Sequence, residues 1–192
     1  MQASLFSLAI MLFALGTSRS GENTSTFPVA TAIESADRVL GGEEGTRLWF
    51  VKERGKWKRF TSFSEVPEAD NTVIVGKRDG KIVAIEYVEA SDSGDWEISE
   101  THYFDFAGTT IAFVRHIGSF HTECRPSADA PVHDVVRVGF DSSREVAREH
   151  TVMDNRGRRF NPSSCNFYPS PAKFKIRGSL AEVAKAYNLP QL

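Results

Sequence analysis

The chain has 192 residues, and its 23 lysines and arginines against 25 aspartates and glutamates leave a formal charge of −2. That balance excludes holding nucleic acid or an anionic membrane by bulk charge. Its 14 phenylalanines, 3 tryptophans and 4 tyrosines favour a strand-rich interior.

Residues 5–15 are almost unbroken apolar chain, interrupted only by Ser7, with small residues and Arg19 following. The run is too short for a bilayer, which needs about 20 apolar residues, so residues 1–16 read as a secretory signal peptide. Ala14-Leu15-Gly16 satisfies the small-x-small rule for cleavage before Thr17. Residues 17–27 are polar and rich in Ser and Thr, and are expected to be a disordered lead-in; Asn23-Thr24-Ser25 has the form of a glycosylation sequon. Residues 28–192 are expected to form a single β-rich domain, exported to the periplasm or the extracellular space and free of the membrane once the signal is removed.

Val29, Ala32, Ile33, Ala36, Val39 and Leu40 recur at helical spacing, with Pro28 suited to the first turn and Gly41-Gly42 as a stop. Alternating strand segments follow from Thr46 to about Phe160. The first pair flanks Arg54-Gly55 and the second flanks Asp79-Gly80, the strongest short hairpin signal in the chain. A third pair joins around Gly108, and a fourth turns at Asp141-Ser142-Ser143. Loops this short cannot make parallel crossovers. The expected fold is therefore α+β, an antiparallel meander of about 7–9 strands with a helix at either end. Ser179 with Glu182 three positions on makes a capping box, and Leu180, Val183, Ala184 and Tyr187 form the apolar stripe of the second helix before Pro190.

Two cysteines in an oxidising compartment most simply form one bridge, so Cys124 and Cys165 are expected to be a disulfide. Chain entropy puts the contribution of such a staple at about 4 kcal/mol.

His116, His121, Glu123 and His133-Asp134 form the clearest polar cluster. Imidazoles and carboxylates are zinc donors, but His116 and His121 are five apart, which puts them on one face of neither a helix nor a strand. The expectation is no metal and no cofactor, with half-exposed loop histidines. Ser119 near two histidines lacks a G-x-S-x-G elbow. A glycosidase needs two carboxylates across a cleft, and Glu86, Glu89, Asp95, Glu97 and Glu100 are available. Glu86 shares a strand face with Ile82, Ala84 and Val88; burial of that face would raise its pKa, whereas a core built on Val83, Ile85 and Tyr87 leaves it solvated, the favoured arrangement. Glu86, His116 and His121 are thus the weak catalytic candidates.

Lys52, Arg54, Lys56, Lys58 and Arg59 surround Trp57, a pattern suited to an anionic partner or to a hairpin kept charged against edge association. Nucleic acid is not expected for an exported chain of this net charge. The favoured function is a non-catalytic binding or inhibitor-like module for a protein or glycan partner. The alternative is an exported hydrolase using carboxylate or histidine residues in a sheet-lined pocket.

Overall fold

Leu48-Trp49-Phe50-Val51 is buried at four consecutive positions of strand β1 (Thr46–Glu53), so both faces of that strand are covered. A strand of that kind belongs inside a sheet. Strand β2 (Lys56–Phe60) carries Lys56, Lys58 and Arg59 and has no fully buried residue, which suits an edge. The computed structural model, which describes residues 29–124, 131–167, 174–190 and 192, arranges them in that way. The expected leader and lead-in lie outside the described residues.

The remaining strands are β3 (Asn71–Arg78), β4 (Lys81–Ala90), β5 (Trp96–Phe104), β6 (Thr110–Ser119), β7 (Val132–Asp141), β8 (Arg144–Asp154) and β9 (Arg159–Phe160). They form one nine-stranded antiparallel sheet in the order β2-β1-β3-β4-β5-β6-β7-β8-β9. The meander is sequential except at its start, where β3 pairs with β1 instead of β2. The β2–β3 connection therefore crosses β1, and the Phe63 ring lies 6.2 Å from that of Trp49 as it does so. The turns behave as their residues dictate: Asp79 and Gly80 have φ of 51° and 74°, the positive pair that a type I′ hairpin requires.

Helix α1 (Ala30–Gly41) lies on one face, with Ala36 and Val39 packed against Val83, Ala84, Tyr103 and Ala112. Gly76 of β3 admits the helix, since a Cβ there would stand 3.1 Å from Val39 Cγ1. Helix α2 (Leu180–Ala186) lies on the other face, where Val183 joins Leu48, Phe50, Val73, Val75, Ile85 and Phe104. Ser179 Oγ caps α2 by accepting from the Glu182 N–H at 3.3 Å, and Glu182 Oε2 accepts from the Gly178 N–H at 3.0 Å. No helix among the described residues is long and apolar enough to cross a membrane.

The α2 face of β6–β8 is closed by the chain after β9. Cys165 and Phe167 pack on Ile117, Val132 and Val152, while Phe174 and Ile176 pack on Phe113, Val136 and Val138. Cys124 and Cys165 are disulfide-bonded, with Cα atoms 5.1 Å apart, and staple the β6–β7 connection to this cover. Beneath it Asp134 is buried between Arg115 Nη2 at 2.9 Å and His150 Nε2 at 3.0 Å, so the buried carboxylate meets partners on both oxygens.

Candidate functional site

The α1 face of β4 to β8 changes character row by row, because antiparallel register aligns one residue from each strand. Nearest the helix run Ala84, Tyr103, Ala112, Gly139 and Ala147, a row of small residues broken by one tyrosine. Small side chains let α1 approach, and the Tyr103 hydroxyl donates to Asp37 Oδ1 of the helix at 2.7 Å. The next row outward is Glu86, Thr101, Val114, Arg137 and Glu149, and the row beyond it is Val88, Ser99, His116, Val135 and Thr151. The outermost is Ala90, Glu97, Gly118, His133 and Met153. On β6 and β7 this face is half-buried throughout from Val114 to Gly118 and from His133 to Arg137, while the opposite face is fully buried. Beyond the small-residue row this face is polar and titratable, with Val114 packed at the margin of α1 and Ser99 and Thr101 of β5 buried.

Glu86 sits where the helix ends its cover. Desolvation first, and then the negative charges of Glu97 and Asp37, push its pKa up to about 7, with a hydrogen bond from Ser99 opposing the rise. Glu97 keeps contact with solvent, yet desolvation also raises its pKa. Asp37 is raised by burial against the opposing Tyr103 bond and the Arg137 charge. Burial, and next the proximity of His133, holds the His116 imidazole down at about 4, and burial lowers His133 too. At neutral pH the surface therefore offers neutral imidazoles, hydroxyls and a carboxyl near its midpoint, beside the Arg137–Glu149 ion pair at 3.7 Å.

The solvated Glu86 expected from the sequence is corrected in part. Ile85 and Tyr87 do face the α2 core, but a bulge opposite Gly76 and Lys77 leaves Val83 without a direct partner, rotates it into the α1 cluster and turns Ile82 to the α2 side. Glu86 is half-buried on the α1 face between Ala84 and Val88, and its burial raises its pKa.

The histidine cluster divides. His116 is a strand residue within β6 and not a loop histidine, and its Nε2 lies 2.9 Å from His133 Nδ1. Gly118 lies beside the pair, where a Cβ would come into van der Waals contact with the His133 ring, 3.4 Å from Nδ1. His121 lies apart and exposed, its Nε2 3.5 Å from Asp95 Oδ2. Ser119 is buried and its Oγ accepts from the His121 backbone N–H at 2.9 Å, which places the hydroxyl on the main chain and not on an imidazole. Glu123 accepts from Asn166 at 2.7 Å, and Asp134 points to the opposite face from His133. The pairing of His116 with His133 was missed in sequence; its one local signal is a glycine inside a strand, which marks close approach. Among the described residues no three His, Cys, Asp or Glu side chains converge on a point where they could hold a metal ion.

The basic hairpin does not form one surface. Lys52, Trp57 and Arg59 share the α2 face, Lys56 and Lys58 the other, and Arg54 occupies the turn. The Trp57 indole donates to the Tyr187 carbonyl at 2.7 Å, so the ring clasps the end of α2 instead of standing free for a ligand. Lys52 lies 5.8 Å from the centre of that ring, and Lys58 faces Glu53 at 3.7 Å.

A depression of about 810 Å³ lies elsewhere, between Val29, Ile111, Phe140, Val146 and the Ser142-Ser143 turn. A second of about 570 Å³ lies at the hairpin tip, lined by Glu53, Arg54, Lys56, Trp57 and Lys58. Neither includes a residue of the titratable rows, so among the described residues the chemistry sits on a sheet face outside both depressions. Comparison with protein-family models, with curated proteins and with solved structures finds no match to this chain.

Proposed function

We propose that this chain is an exported, non-catalytic binding module that holds a glycan on the open part of the α1 face. The observation that carries the reading is the succession of rows holding Glu86, His116 and His133, half-buried, beside the buried hydroxyls of Ser99 and Thr101, on a sheet face that no other element among the described residues covers. Strands spaced about 4.8 Å apart and side chains repeating every second residue give a lattice of donors and acceptors matched to a polyhydroxyl chain. Uncharged groups suit such a ligand because they hydrogen-bond hydroxyls without the desolvation cost of a full charge. The Cys124–Cys165 bridge supports the exported setting, since such bridges persist in oxidising compartments. The divided basic hairpin turns the reading away from an anionic glycan.

The test is an amide-shift titration of the mature chain with soluble chito-, malto- and cello-oligosaccharides. Expected are shifts concentrated at Ser99, Thr101, His116, His133 and Thr151. Shifts confined to other parts of the sheet, or none at millimolar sugar, would reject the reading.

One observation favours a second reading, glycoside hydrolysis. Glu86 with a pKa near 7 has the property of a general acid, and Glu97 is a second carboxylate on the same face. Release of reducing ends from those oligosaccharides, abolished by Glu86→Gln, would establish it in place of simple binding.

A further inference from the structure

His116 and His133 stand apart from the other titratable groups because their ring nitrogens meet. They come from neighbouring strands and from adjacent rows of the same face, with ring centroids 5.1 Å apart and planes inclined by 23°. The contact is Nε2 of one to Nδ1 of the other at 2.9 Å, beside Gly118. A pair of neutral imidazoles sharing one proton at this distance has the spacing of two ligands sharing one metal ion.

The 2.9 Å separation is that of an N–H···N hydrogen bond, and it already holds two imidazole donors within the span of neighbouring ligands on one metal ion. Among the first-row divalent ions copper binds nitrogen donors most tightly. The shared proton moves to the far nitrogen of its own ring, and both facing lone pairs then serve the metal. Imidazole χ2 is soft, so the lone pairs converge by a small ring rotation. Met153 stands directly opposite His133 in register, which places a thioether, a donor copper accepts, next on the same face.

We propose that His116 and His133 form a two-imidazole seat for divalent copper, completed by solvent and open to a further ligand. The seat is independent of the glycan reading, since it rests on the contact of two ring nitrogens.

The experiment uses the mature full chain without an affinity tag, stripped with chelator and titrated with copper(II), followed by calorimetry and by the copper paramagnetic resonance spectrum. Expected are one equivalent bound with a dissociation constant on the order of micromolar and nitrogen couplings from two imidazoles. His116→Asn and His133→Asn should each weaken binding roughly tenfold or more, and the exposed His121→Asn should leave it within about twofold. In the unsubstituted protein, substoichiometric copper should broaden the His116 and His133 resonances first, a readout that stands even if a histidine variant fails to fold; broadening that begins at His121 would count against the pair. No stoichiometric copper, or weakening that follows His121→Asn while both pair variants bind as the parent does, would overturn the proposal.

Discussion

Tyr103 and Asp37, 66 positions apart, form the only polar tie among the described hydrogen bonds between β5 and α1, with the phenol donating to the carboxylate at 2.7 Å. Burial raises the pKa of both groups, so each relies on the other for satisfaction. Tyr103→Phe should lower unfolding free energy by about 1 kcal/mol, because it removes the bond that the buried tyrosine donates to the Asp37 carboxylate at the helix surface. Asp37→Asn, whose amide oxygen still accepts, should cost less. Urea denaturation measures both, and equal losses would show that the bond is not what matters.

Glu86 makes the folded state bind a proton that the unfolded chain releases earlier. Its folded pKa is about 7 against an ordinary 4.5, so its favourable term is complete below 4.5 and disappears as pH rises through 7. Asp37 and Glu97 act in the same direction. Glu86→Gln should remove up to about 3 kcal/mol of stability loss between pH 4 and pH 8. An unchanged pH profile from chemical denaturation would contradict the burial assigned to Glu86.

His102 supplies the opposite slope. It is fully buried, its Nε2 accepts from the Arg177 N–H at 3.2 Å, and desolvation holds its pKa at about 3 against an ordinary 6.5. A neutral ring is needed for that bond, so its contribution is full above pH 6.5 and lost as pH falls toward 3. His102→Gln, which retains an acceptor, should make the acid limb shallower by about 1.4 kcal/mol per pH unit below 6.5. Unfolding free energies at pH 4, 5, 6 and 7 decide it.

The disulfide closes a separation of 41 residues. Cys124→Ser with Cys165→Ser should cost about 2–4 kcal/mol, and reductant should lower the urea midpoint of the parent chain to that of the double variant. A parent whose midpoint ignores reductant would argue against any stabilising role.

The β7–β8 turn holds Ser142 and Ser143 at φ of 48° and 73°, a left-handed pair that ordinary side chains adopt at a cost. Replacing them with Asn-Gly should stabilise the hairpin by about 1 kcal/mol, raising the melting midpoint without touching the titratable rows. A lower midpoint would mean that the serine side chains contribute more than the backbone strain removes.

Much of the frame was legible before folding was considered. The Asp79-Gly80 and Arg54-Gly55 turns, the helical stripe ending at Gly41-Gly42 and the Ser179 cap are local signals, and each acts within a few residues. Two cysteines allow one pairing, so that bridge was legible as well. The site was less so. Period-2 alternation put Glu86 with Ala84 and Val88, yet the bulge at Val83 sent Ile82 to the other face, and nothing within β4 announces a bulge that depends on its partner strand. His121 was grouped with His116 by sequence proximity, while the true partner was His133, brought by the register of β6 on β7.

The sequence by itself determined which segments are strands and where they turn, because backbone sterics and turn chemistry are local. Only the tertiary structure decided that β1 lies between β2 and β3, that α1 packs on Ala84, Tyr103 and Ala112, and that two imidazoles meet between β6 and β7. Those outcomes depend on register and on which face another element covers. Both are set by packing between residues distant in the chain, where no local preference reaches.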